Sequence, residues 1–79
     1  MLVPLYGFLR GDTIGMVVLV HDHQTIADVA GVLQQAASVR VKPAARASVF
    51  VGGHALDPAL TVKAAGLGAL DRVDVVQEH

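Results

Sequence analysis

The residues with the greatest chemical reach in this chain are its histidines. His21 and His23 flank Asp22 in the stretch His21-Asp-His-Gln24. On an extended segment a His-x-His pair points both rings the same way, which is how a metal site can begin. A tetrahedral site wants four ligands, however, and no Cys or Glu cluster stands near these two in sequence. The stretch therefore reads as a polar loop entering a helix, with Asp22 near the positive end of that helix. His54 falls in a turn and His79 at the chain end, and both read as solvated. Gly52-Gly53 lacks the further glycines, Lys and Ser/Thr of a phosphate loop, and it lies between two strands, where its role is backbone geometry. Ser38 and Ser48 have no nucleophile motif around them. Asp71, Asp74 and Glu78 are spread along the last strand and read as turn and surface charges, not as an acid–base pair. The expectation is a chain with no catalytic, metal-ligating or cofactor-binding residues of its own.

One further chemistry open to a small domain is transfer through a bare C-terminal Gly-Gly whose carboxylate can be adenylated. This chain ends Val75-Val-Gln-Glu-His79, with no Gly-Gly near the end. Sulfur-carrier or modifier chemistry is disfavoured on that ground.

With chemistry set aside, the elements come into view. Thr25 to Ala37 is the one full helix, with Ile26, Val29, Ala30, Leu33 and Ala37 forming an apolar stripe. Thr25 is a good N-cap, and Asp28 stands where a capping box usually has Glu or Gln. Gly31 weakens an exposed helix by about 1 kcal/mol against Ala, unless its bareness admits another backbone. Leu2 to Arg10 reads as a first strand, with Pro4 confined to the strand start or an edge. Gly11-Asp12 turns into a second strand, Thr13 to His21, with Ile14, Met16, Val18 and Val20 toward the helix. A connector, Ser38 to Ala45, follows the helix. Arg46 to Val51 is the third strand, His54 to Asp57 a short fourth with Leu56 inward, and Arg72 to Gln77 the last. Leu60 to Leu67 reads as a loop with one helical turn. The order β-β-α-β-β-β predicts an α+β chain, with a mixed sheet of four to five strands and the helix packed on one face. With the last strand in the middle beside the first, the architecture is a β-grasp.

The composition bounds what such a chain can do. Its 79 residues make a single domain, 1–79, and the hydrophobic share is 53% against 4% aromatic, so the core must be Val, Leu, Ile and Ala. A net charge of −1 supplies no field for nucleic acid or an anionic membrane, and the absence of cysteine removes disulfides and thiolate metal sites. The N-terminus lacks the basic start of a signal peptide, and the run Met16 to Val20 falls far short of the roughly 20 residues that cross a bilayer. A cytoplasmic, soluble protein is expected. So small a chain hides only about 60% of its unfolded surface, and its surplus of apolar residues is expected to face a partner.

The candidate surface follows from alternation. Tyr6 and Phe8 share one face of a regular strand one, and Val17 and Leu19 share the outer face of strand two. Unless the two aromatics point inward to fill the core, the four form an apolar patch away from the helix. Strand three has Val49 and Val51 inward and Phe50 outward, or the reverse; in the first case Phe50 and Val76 extend the patch. Aromatics at the centre of such a patch are favoured anchors in protein interfaces.

The spacing also resembles a known fold family. An apolar strand precedes Thr25-Ile26 at the helix start, with Val29 and Leu33 inward. The corner Phe50-Val-Gly-Gly-His-Ala-Leu-Asp57 follows, then Thr61-Val62, Ala65-Gly66-Leu67 and Asp71-Arg-Val-Asp-Val-Val76. This is similar to ubiquitin-like domains. A narrower resemblance lies in Thr25-Ile-Ala-Asp-Val-Ala30, in Arg40-Val41 with Pro43, in Thr61-Val-Lys-Ala-Ala-Gly-Leu67, and in Asp71 with Val73-Asp-Val-Val76. These segments are similar to the small ubiquitin-like subunit of toluene 4-monooxygenase-type diiron hydroxylases, although Pro4-Leu-Tyr-Gly-Phe-Leu-Arg10 departs from its pattern. The resemblance implies a non-catalytic gamma subunit of an aromatic or hydrocarbon monooxygenase. Its partner would be the large hydroxylase subunit, which carries the diiron centre, and no iron ligand transfers to this chain. A stand-alone ubiquitin-like interaction module is the second reading. Either could form a homo-oligomer when isolated.

Overall fold

A computed structural model describes residues 1–78 of the chain. Its elements are β1 (Leu2–Leu9), β2 (Met16–His21), α1 (Ile26–Ala36), β3 (Arg46–Val51), β4 (His54–Ala55) and β5 (Arg72–Glu78). The five strands form one sheet in the order β2-β1-β5-β3-β4. β1 and β5 run parallel, and the other pairs are antiparallel. The last strand therefore lies in the middle beside the first, as expected, and the helix covers one face.

Helix α1 starts where its cap dictates. The Asp28 N–H donates to Thr25 Oγ1 at 3.2 Å, and the Thr25 N–H donates to Asp28 Oδ2 at 3.0 Å. Asp28 thus completes the capping box in place of the usual Glu. Two more orphan donors of the first turn find carbonyls in the loop before β5. The Ile26 N–H donates to Leu60 at 2.8 Å and the Ala27 N–H to Pro58 at 3.1 Å. Val62, fully buried, plugs that end of the core, and the Ala65 N–H donates to Thr61 O in a single helical turn.

The core is aliphatic. The α1 stripe of Ile26, Val29, Ala30 and Leu33, with Ala37, packs on Val3, Leu5 and Leu9 of β1, Val18 and Val20 of β2, Val49 of β3, and Val73 and Val75 of β5. Leu56 lies just past β4 and packs half-buried on this cluster. The close approach suspected at Gly31 occurs elsewhere. Gly31 faces open space, whereas a Cβ on Gly7 would stand 2.7 Å from Leu33 Cδ1. A bare residue in β1 is what lets the helix settle onto the sheet.

Three further expectations shift. Pro4 lies neither at the start of β1 nor on an edge strand. Its nitrogen faces the β5 side, where pairing begins only at Tyr6 with Arg72, so no ladder bond is lost. β2 begins at Met16, not Thr13, and Ile14 is 49% exposed instead of facing the helix. The cause is Asp12, whose carboxylate accepts the Thr13 N–H at 2.8 Å and is held by Arg40 through Nε and Nη2 at 2.9 and 3.0 Å. This fork keeps the β1–β2 connection folded against the segment after the helix and delays the strand. A second tie pins that segment further on. Buried Gln34 accepts from the Ala44 N–H at 2.7 Å and from Gln77 Nε2 at 2.9 Å, and Gln77 Nε2 also donates to Lys42 O.

Candidate protein-docking surface

The sheet face opposite the helix is built by strand alternation. On β1 the inward residues are Val3, Leu5, Gly7 and Leu9, so Leu2, Pro4, Tyr6 and Phe8 point outward. On β2, Val18 and Val20 are buried while Val17 and Leu19 are 59% and 60% exposed. The register sets Tyr6 beside Val17 and Pro4 beside Leu19. Leu2, 54% exposed, and Tyr6, 41% exposed, lie along the same rows. Leu2 and Pro4 were not singled out from the sequence, although the alternation that selects Tyr6 and Phe8 puts both on this face.

Two devices shape the aromatic pair. The rings of Tyr6 and Phe8 lie 4.7 Å apart at 50°. They lean over Gly15, where a Cβ would stand 2.6 Å from Phe8 and 2.8 Å from Tyr6. The backbone of an edge residue is thereby covered by rings from the neighbouring strand. On the other side, the Arg72 guanidinium sits 4.2 Å over the Phe8 ring, a cation–π contact. Phe8 is half-buried as a result, whereas Tyr6 and the two β2 residues stay open.

Phe50 and Val76 do point outward but do not join this group. The rows across the sheet run Phe8, Asp74, Phe50, so a charged residue stands between the two phenylalanines. Arg72 and Asp74 pair at 3.1 Å and draw a charged stripe down β5. The expected surface is thus divided. Tyr6, Phe8, Val17 and Leu19 gather on β1 and β2 with Leu2 and Pro4. Phe50 sits half-buried across the stripe on β3, and Val76 half-buried past Asp74 on β5 itself, both near Arg10.

The polar candidates fall as follows. The His21 and His23 rings lie 4.9 Å apart and both residues are exposed. Among the described residues, no group of three or more His, Cys, Asp or Glu could hold a metal ion. His54 is exposed in β4, and His79 lies outside the described residues. Gly52 and Gly53 form the β3–β4 turn, both with positive φ. Asp71 binds the Gly68 N–H at 2.7 Å and Glu78 accepts from Ser48 Oγ at 2.8 Å. Residues up to Glu78 are paired with β3, so the described end of the chain is sheet and not a free tail. The Arg40 guanidinium, with the Thr13 N–H, holds the Asp12 carboxyl below the usual carboxylate range against the opposing effect of burial. Among the described residues, no helix is long and apolar enough to cross a membrane.

A five-stranded mixed sheet in the order β2-β1-β5-β3-β4, grasping one helix, defines a ubiquitin-like β-grasp domain. The family model for toluene-4-monooxygenase system protein B (TmoB) matches residues 2–77, and the chain belongs to that family. A chain from a structure of the toluene 4-monooxygenase HD complex with the inhibitor 4-bromobenzoate is similar over 99% of this chain and 100% of its own, with 20% identity and a TM-score of 0.86. The ubiquitin of Caldiarchaeum subterraneum is similar over 100% of this chain and 96% of its own, at 14% identity and a TM-score of 0.78. The ubiquitin-like domain of Plasmodium falciparum Dsk2 is similar over 99% and 100%, at 13% identity and a TM-score of 0.76. At these identities the structural likenesses speak for the fold alone. No curated protein sequence matches the chain.

Proposed function

We propose that this chain is a non-catalytic accessory subunit of a diiron aromatic or hydrocarbon monooxygenase, docking on the large hydroxylase subunit. Membership of the system protein B family supports the assembly, and the cluster of Tyr6, Phe8, Val17 and Leu19 supports the manner of docking. The diiron centre and the oxygen chemistry belong to the large subunit in this reading. This chain contributes surface, not reacting groups. Tyr6, open and packed on Phe8, is the natural anchor, because an aromatic ring buries much area at little conformational cost. Phe50, across the charged stripe, and Val76, past its end on β5, take a marginal part.

The test is co-expression with the large hydroxylase subunit and recovery through a tag on either chain. The pair is expected to co-purify. Tyr6→Ala, truncating the anchor, is expected to weaken the complex by about 2 kcal/mol, or roughly thirtyfold. Val39→Asp, at an exposed position in the segment after the helix, should leave it intact. Recovery of this chain alone, with no iron-containing partner, would refute the proposal.

A further inference from the structure

The sheet ends at β2, a full-length strand with one neighbour. The direction of its free backbone groups follows from β1. Along β1 the Tyr6 N–H donates to Asp71 O at 3.0 Å, the Arg10 N–H donates to Val75 O at 2.9 Å, and Pro4 O accepts the Leu70 N–H at 2.6 Å. Alternate residues of β1 therefore turn their backbone groups toward β5. In an antiparallel pair the residues opposite these are not hydrogen-bonded partners. They are Leu19, opposite Pro4, and Val17, opposite Tyr6. The N–H and C=O of Val17 and Leu19 thus point away from β1, out of the sheet edge. At the next outward residue the edge is already closed. The His21 N–H donates to Gln24 Oε1 at 2.8 Å, and His21 O accepts the Gln24 N–H at 3.0 Å.

Sheets commonly guard an open edge with charge or proline. The stretch Gly15 to Val20 has neither. The same two residues, Val17 and Leu19, also carry open apolar side chains on the outward face. Backbone groups seeking partners and apolar surface seeking cover therefore coincide at one edge.

We infer that β2 is a strand-accepting edge, and that an extended, uncharged segment of the large hydroxylase subunit adds there as a further strand, apolar at alternate positions. The inference rests on the accessory-subunit reading and gives it a geometry. A second copy of this chain fits less well. Two-fold pairing of Val17 with Leu19 of the copy would satisfy the same groups, but it would leave both outward patches side by side on one face of a continuous sheet. The open apolar surface would be doubled, not covered. A segment of a larger partner can pair with the edge and bring its own fold over Tyr6, Val17 and Leu19.

Leu19→Pro tests this, because it deletes an outward N–H and no bond between β1 and β2. Leu19→Ala is the companion that shortens the side chain and keeps the N–H. In co-purification with the hydroxylase, L19P is expected to bind at least tenfold more weakly than L19A. Amide exchange supplies a readout that needs no variant. The Val17 and Leu19 amides should exchange quickly in the isolated chain and roughly a hundredfold more slowly in the purified complex. A complex that forms with these amides unprotected, or that tolerates L19P as well as L19A, overturns strand addition and leaves the accessory reading standing. Failure of the native chain to bind the hydroxylase overturns both. Protection that grows with the concentration of the isolated chain assigns the edge to a second copy and overturns the inference.

Discussion

Replacing Gly7 with alanine is expected to destabilise the domain by about 1–2 kcal/mol, although alanine is the better residue for a strand in every local respect. The reason is one contact. The added methyl would stand 2.7 Å from Leu33 Cδ1, 3.0 Å from Cδ2 and 3.3 Å from Cγ. Leu33 is fully buried among Val29, Val73 and their neighbours and has no open space to retreat into. Overpacking of this kind costs about 1–3 kcal/mol, and the lower entropy of the unfolded alanine chain returns about 0.4–1 kcal/mol. In a domain of this size the balance lowers Tm by roughly 5–15 °C. Urea and thermal denaturation of G7A, Leu33→Val and the double variant form a cycle that reads the contact directly. L33V alone leaves a small void and costs about 1 kcal/mol. Together the two changes should cost clearly less than their sum, because the shorter side chain makes room for the methyl. A neutral G7A, or additive losses, would refute the claim that Gly7 sets the distance between helix and sheet.

Other perturbations have equally definite outcomes. Gln34→Ala leaves the Ala44 N–H and the Gln77 amide without their shared acceptor, and it should cost about 1–3 kcal/mol in urea unfolding. Leu70 holds a φ of 62° while 61% exposed, so Leu70→Asn, which tolerates that backbone, should raise stability by about 0.5–1 kcal/mol. Asp12, whose carboxyl is held below its ordinary value by Arg40, contributes stability that is present above the unfolded-state pKa near 4 and is lost as pH falls through the folded one. Asp12→Asn should therefore be less stable than the native chain at pH 7, and the gap should close on acidification, as followed by denaturation at stepped pH.

Much of the fold was legible because local signals agreed with one another. Thr25 with Asp28 marked the helix start, the stripe from Ile26 to Leu33 marked its buried face, and period-two runs marked the strands. Alternation paired Tyr6 with Phe8 and Val17 with Leu19 on shared faces, but it left open whether the aromatic pair pointed out or filled the core. What escaped depended on residues far apart in sequence. Ile14 lost its expected strand because Asp12 answers to Arg40, on the far side of the helix. The close approach lay at Gly7 and not Gly31, since which bare residue meets the helix depends on the register between elements. The division of the apolar face followed from Phe8 and Phe50 standing on either side of Asp74, a neighbourhood that exists only once β5 enters between β1 and β3. The loop carbonyls of Pro58 and Leu60 that seat the first helical turn belong to the same class. No pattern around Ile26 announces them.

The parallel union of β1 with β5 has a consequence for how the molecule comes into being on the ribosome. The opening and closing strands of the sequence are neighbours at the centre of the sheet. Until β5 has emerged from the exit tunnel, β1-β2 and β3-β4 have no strand pairing between them, and only the helix, which packs on β1, β2 and β3, joins the two pieces. The nascent sheet stays in two pieces, with the places of Val73 and Val75 beneath the helix unfilled, and closes when β5 pairs with β1 and β3. Any assembly partner that recognises the finished sheet can engage only after that closure, so docking inherits its timing from the order in which the strands are made.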